Sequence, residues 1–150
     1  MHTIRIRQWF RAAPETVFRH FSDHEALGRL WPGRFVRVAD GEDEADGLGS
    51  VREVRLPGGL HFREQVVEFR PPELIAYRMD PRLPGITHHY GVMRFRPEGS
   101  GTLLDYRIEL DARLFAAPLL SGLIERSIKP GIRRLAADYE RTGTNAGRAE

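Results

Sequence analysis

From about residue 118 to residue 141 the chain repeats apolar side chains at Leu120, Leu123, Ile124, Ile128, Ile132, Leu135 and Tyr139. Steps of three and four hold such residues on one face of a helix, and here the stripe follows a long succession of strand-like segments. Pro130 and Gly131 interrupt the composition without shifting the stripe. A proline inside a helix donates nothing to the carbonyl of Arg126 and its ring crowds that carbonyl, so a bend is expected there. A long bent helix laid on a curved sheet leaves space between them. The order of the elements therefore describes a container more fully than its contents.

The 150 residues are expected to form one domain over 1–141, with the small and polar residues 142–150 frayed. Residues 2–10 alternate Ile4 and Ile6 with Thr3, Arg5 and Arg7, a strand pattern. Over 13–23 the period changes: Pro14 suits a first helical position, Glu15 complements a helix start, and Val17, Phe18 and Phe21 form a short stripe. Asp23 can cap a second short helix carrying Ala26, Leu27, Leu30 and Trp31, which Pro32 and Gly33 end. Strands are then expected at 35–40, 49–56, 61–69, 74–79, 88–96 and 102–112, separated by glycine- and proline-bearing turns. Short consecutive connections imply an antiparallel meander.

Turn chemistry sets the register. If Pro57, Gly58 and Gly59 form a three-residue hairpin loop, Val54 faces Phe62 and Arg52 faces Glu64, all on one side with Leu56 and Val66. Pairing Phe95 with Leu104 gathers His89, Met93, Phe95, Tyr106, Ile108 and Leu110 on one face and sends Arg94 and Asp105 to the other. The apolar face needs a cover, and the C-terminal helix is the element long enough to supply it.

Several classes of chemistry find no support. The chain has no cysteine, which removes disulfides and thiol catalysis. Residues 1–10 lack the form of a signal peptide and no segment has the length of a membrane span, so a cytoplasmic location is expected. The formal net charge is +2, with Lys129 the only lysine. Arg126, Lys129, Arg133 and Arg134 lack interleaved aromatics and read as a solvated helix face, not a nucleic-acid surface. His88 and His89 are adjacent on a strand and point to opposite sides. His20 and His24 straddle a helix break, so no metal site is read. The acidic residues Asp40, Glu42, Asp43, Glu44 and Asp46 lack the glycine and distal glutamate of a calcium loop. Neither a phosphate-binding glycine loop nor a Gly-x-Ser-x-Gly elbow is present, and no cofactor is expected.

The sequence of one strand, two short helices, six further strands and a long helix resembles the helix-grip fold of the START and Bet v 1-like superfamily. Local phrases carry the likeness: Ala-Pro-Glu-Thr-Val-Phe at 13–18 with Phe21-Ser22-Asp23, and Gly-Leu-Gly-Ser-Val-Arg at 47–52. Arg-Glu-Gln-Val-Val-Glu-Phe-Arg-Pro-Pro-Glu-Leu-Ile-Ala-Tyr-Arg at 63–78 and Gly-Thr-Leu-Leu-Asp-Tyr at 101–106 are similar to bacterial polyketide cyclase/dehydrase-like members. The resemblance implies an α+β helix-grip fold: a curved antiparallel sheet of seven strands wrapped around the C-terminal helix, with two short helices after the first strand. It also implies a deep cavity between sheet and long helix for an apolar or aromatic small molecule. A lipid, quinone or polyketide is the ligand expected, in a monomer or weak homodimer.

The polar residues expected on the inner face are Arg52, Glu64, Tyr77, His89 and Tyr106. Val54, Phe62, Val66, Met79, Met93, Phe95, Leu123, Ile124 and Ile128 are expected to wall the space, with Trp31 at one end. Arg52, Glu64 and His89 are the candidates for chemistry, Arg52 stabilising an enolate while Glu64 or His89 moves a proton. Arg52 and Glu64 could equally be a cross-strand ion pair serving structure alone, His89 a hydrogen-bonded wall residue, and Tyr77 and Tyr106 core rings. Alanine at 52 or 64 is expected to alter ligand affinity and leave the fold intact. Three functions stay open: a binding or carrier protein, a cyclase, aromatase or dehydratase, and a macromolecular interaction module.

Overall fold

The computed structural model describes residues 1–31, 33–80 and 85–148, with side chains described through Thr142. Strand β1 (His2–Phe10) leads into α1 (Pro14–Ser22) and α2 (His24–Gly28). There follow β2 (Arg34–Ala39), β3 (Val51–Arg55), β4 (His61–Arg70), β5 (Leu74–Met79), β6 (Ile86–Glu98) and β7 (Gly101–Ala112). A one-turn helix, Arg113–Phe115, joins β7 to the terminal helix α3 (Ala117–Arg148). The helix thus runs past residue 142 and continues across Pro130.

Local chemistry explains the short helices. Pro14 opens α1, where its missing N–H costs nothing. The Asp23 carboxylate accepts from the backbone N–H groups of Glu25 and Ala26, at 2.9 and 3.1 Å, and so starts α2.

All strand pairs are antiparallel, and the seven-stranded sheet has the order β1-β7-β6-β5-β4-β3-β2. Both expected registers hold: Val54 faces Phe62, Arg52 faces Glu64, Phe95 faces Leu104 and Arg94 faces Asp105. Gly58 and Gly59 supply the positive φ values, 90° and 87°, of the β3–β4 turn. On the opposite face Asp105 binds Arg5 through two nitrogens, at 3.1 and 2.7 Å.

The main core lies between the concave face and the helices. Phe10, Phe18, Phe21 and Phe95 interlock edge to face or tilted, with Phe10–Tyr139 tying β1 to α3. Among the described residues α3 comes closest to β1 and then β7, and does not approach β3, β4 or β5 comparably. The cover is therefore seated to one side.

One expectation about the cover is corrected. The buried stripe of α3 begins Ala117, Ser121 and half-buried Ile124 and continues through Ile128, Ile132, Leu135 and Ala136, whereas Leu123 is 52% exposed. Successive helical residues diverge by roughly 100°, so Leu123 and Ile124 cannot both point at the sheet. The expected wall residue faces outward.

Candidate functional site

Along β3 and β4 the two-residue period brings Ser50, Arg52, Val54, Glu64 and Val66 to the concave face, where all five are buried. Arg52 and Glu64 are 2% and 6% exposed. The Arg52 guanidinium donates from Nε to Glu64 Oε2 at 2.8 Å, with a second nitrogen also 2.8 Å from that oxygen. Its guanidinium carbon lies over two aromatic rings, 4.9 Å from the centroid of Tyr77 and 5.3 Å from that of Phe35. Desolvating both charges is tolerable only because each finds the other.

Tyr77 faces Gly91 across the β5–β6 pair, and a Cβ at position 91 would collide with the Tyr77 ring. The missing side chain lets the ring lie flat over β6 and reach β7. There the Tyr77 and Tyr106 hydroxyls share a hydrogen bond. Two hydroxyls carry two protons and the bond uses one, so the accepting member keeps a free O–H. Burial raises both phenol pKa values, that of Tyr77 far above its usual range, so both act as donors and not as phenolates.

His89 completes the group, its ring centroid 5.9 Å from that of Tyr77. Burial lowers its pKa first, opposed by Glu64, leaving a neutral imidazole able to donate at one nitrogen and accept at the other. Nδ1 is buried with no hydrogen-bond partner among the described residues. The buried hydroxyls of Ser50 and Ser121 are orphaned in the same way.

Of the expected wall, Val54, Val66, Met79, Met93, Phe95 and Ile128 are buried, whereas Phe62, Ile124 and Trp31 are half-buried. The Trp31 ring stands nearly perpendicular to Phe35 at 5.7 Å. The interior at these side chains is thus closed to solvent, with partly exposed groups at its margin. His88 points to the outer face, 3.4 Å from Glu109.

Sequence reasoning passes over Ser50 and Ser121. Ser50 shares the phase of Arg52, and Ser121 falls four residues after Ala117 on the true helix stripe, so both were within reach of periodicity. His24 was weighed only as a metal ligand. It is buried, with Nδ1 3.3 Å from the Asp46 carboxylate but not aligned to form a hydrogen bond. Asp46 is itself engaged by Arg37 at 2.7 Å, which also holds Asp40 at 2.8 Å, so the acidic stretch folds back on an arginine.

Burial and then the Arg52 charge bring the His24 pKa down to about 4, against the opposing pull of Asp46. The unfolded value is about 6.5, so the unfolded chain binds the extra proton as pH falls from there towards 4. The contribution of neutral His24 is full above pH 6.5 and is lost across that window, on the order of 2 kcal/mol after screening. The difference in urea midpoint between pH 7 and pH 4.5 should therefore shrink in a His24→Gln variant. Equal losses in both proteins would show that His24 does not contribute.

A curved antiparallel sheet gripping a C-terminal helix, with a buried polar cluster on the gripping face, defines a helix-grip protein. The family model described as polyketide cyclase / dehydrase and lipid transport matches residues 1–140, and the chain belongs to that family. A solved protein from Thermobifida fusca is similar over 94% of this chain and 95% of its own, at a TM-score of 0.75 and 21% identity. Ara h 8.0201 is similar over 93% and 98%, at 0.72 and 12% identity. The Aha1 dimer from Colwellia psychrerythraea is similar over 91% and 94%, at 0.69 and 14% identity. These likenesses, all under 25% identity, carry the fold alone. No curated protein matches the chain in sequence.

Proposed function

We propose that this protein binds an apolar small molecule bearing at least one oxygen function, a quinone, polyketide or lipid, between the concave face and α3. The observation that carries the reading is the unpartnered Nδ1 of buried His89, set beside the Arg52–Glu64 pair and the Tyr77–Tyr106 hydroxyls. A buried polar atom without a partner costs about 1–3 kcal/mol, so its retention points to a group that pairs with it when the ligand is present. The surrounding Val66, Met93, Phe95 and Ile128 suit the apolar remainder of such a molecule. Entry requires the margin to part, a role we give to Phe62, Ile124 and Trp31 because they are half-buried.

An enzymatic reading draws on the same cluster, since a neutral imidazole beside protonated phenols can pass a proton. It assigns His89 as base, Tyr77 or Tyr106 as donor and Arg52 as the group facing developing negative charge. Native mass spectrometry of gently purified protein, followed by extraction, separates the two: a carrier returns its compound unchanged, whereas an enzyme converts it. A His89→Ala variant should hold the extracted compound about tenfold more weakly, the value of one hydrogen bond in a closed site. Affinity unchanged by that substitution, and by Tyr106→Phe, would remove the polar cluster from ligand recognition.

A further inference from the structure

We infer that one rim of the sheet, with the outer face of α3 beside it, is a docking surface for anionic lipid membranes. The register places the β3–β4 turn, the start of β1 and the β7–α3 connection at the same end of the sheet. At or near that end stand Met1, Leu60, Leu114, Phe115, Leu119 and Leu123, all exposed. Leu114 and Phe115 are 94% and 96% exposed, with no packing partner among the described residues. Both also have a φ of 57°, a left-handed conformation that bulky non-glycine residues adopt at a cost. The chain thus spends strain to hold two large apolar side chains in the open.

Charge selects the occupant. Helical geometry puts Leu119, Leu123, Arg126, Pro130 and Arg133 in one outward stripe, apolar for its first turns and basic beyond. From residue 113 to residue 134 the charges are Arg113, Arg126, Lys129, Arg133 and Arg134 against Glu125 alone, and Glu125 is paired with Lys129. Arg113, Arg126, Arg133 and Arg134 make no ion pair among the described residues. A second copy docked stripe to stripe by two-fold symmetry would bring these guanidinium groups no acidic partner, only the leucines or further cations of the same stripe. A bilayer with acidic headgroups satisfies both halves: apolar tips enter the acyl boundary and guanidinium groups meet phosphates. No described helix is long and apolar enough to cross a membrane, so the contact is interfacial.

The test is sedimentation of the whole protein with unilamellar vesicles of phosphatidylcholine alone or of equal parts phosphatidylcholine and phosphatidylglycerol. Pelleting with the anionic vesicles only, and release by salt, is the expected result. The double variant Leu114→Ser/Phe115→Ser should lose at least tenfold in partitioning, and Arg126→Gln and Arg133→Gln about fivefold each. All four positions are exposed, and unchanged thermal melting checks that the variants fold. Absence of pelleting with anionic vesicles, or pelleting unaffected by either set of substitutions, overturns the inference. So does a dimer seen by light scattering that Phe115→Ser dissolves. Because the vesicle assay needs no internal ligand, its failure leaves the ligand-binding proposal standing.

Discussion

Replacing Glu64 by leucine lowers the melting temperature by on the order of 10 °C, because Arg52 is left charged and buried with its partner gone. Breaking one side of a buried ion pair costs about 3–5 kcal/mol, and in a chain of this size each kilocalorie moves the melting point by roughly 2–4 °C. The pair's exposure of 2% and 6% makes that penalty unavoidable, and alanine at either position carries it too. Arg52→Met with Glu64→Leu together removes both charges and fills similar volume, so the double variant should melt within a few degrees of the parent. The cycle then yields a coupling of about 3 kcal/mol. Near-additive losses would mean that water reaches the pair and the burial argument fails. The double variant also separates the two readings of the pair: a folded protein that no longer retains its extracted compound assigns these residues to the ligand. Full retention assigns them to structure.

The placement of that pair was legible because a three-residue glycine turn dictates which strand residues oppose one another, and the β3–β4 turn is of that kind. Irregularities were not. In β4 the pairing shifts between Val66 and Glu68, so that Phe69, not Glu68, turns inward and meets Phe18 at 5.3 Å. Val67 packs instead with Leu74, Ala76 and Val92 in a small cluster of its own. The adjacent pair Val66-Val67 followed by Glu68-Phe69 breaks strict alternation, and a bulge is the physical resolution of that break. The Tyr77–Tyr106 bond depends on a glycine in β6, the strand between those of the two partners, a coincidence of three elements that periodicity along a single strand does not report. Leu123 shows the converse error: a stripe read by residue type alone admitted an apolar side chain pointing the wrong way.

Gly131 presents the sharpest conflict between local propensity and packing, and the packing term is the larger. Beside Pro130 it reads as a weak point in a helix, where alanine should gain about 1 kcal/mol. In the folded protein a Cβ there would run into the backbone carbonyl of Leu30, in the turn that follows α2. A backbone atom cannot swing aside as a side-chain end can, so either α3 lifts or the turn shifts. Such overpacking costs roughly 1–3 kcal/mol and sometimes more. Gly131→Ala should therefore destabilise by about 2 kcal/mol net, a fall of roughly 5 °C in melting temperature, and Gly131→Val by more. An alanine variant at least as stable as the parent would show that the helix does not press on this turn. The consequence reaches the site, because Leu30 and Trp31 belong to the turn that Gly131 touches and Trp31 packs on Phe35, whose ring lies under Arg52. Seating of the helix and closure over the polar cluster are thus mechanically one contact, and the variant that loosens the first should also raise the rate at which a bound compound escapes.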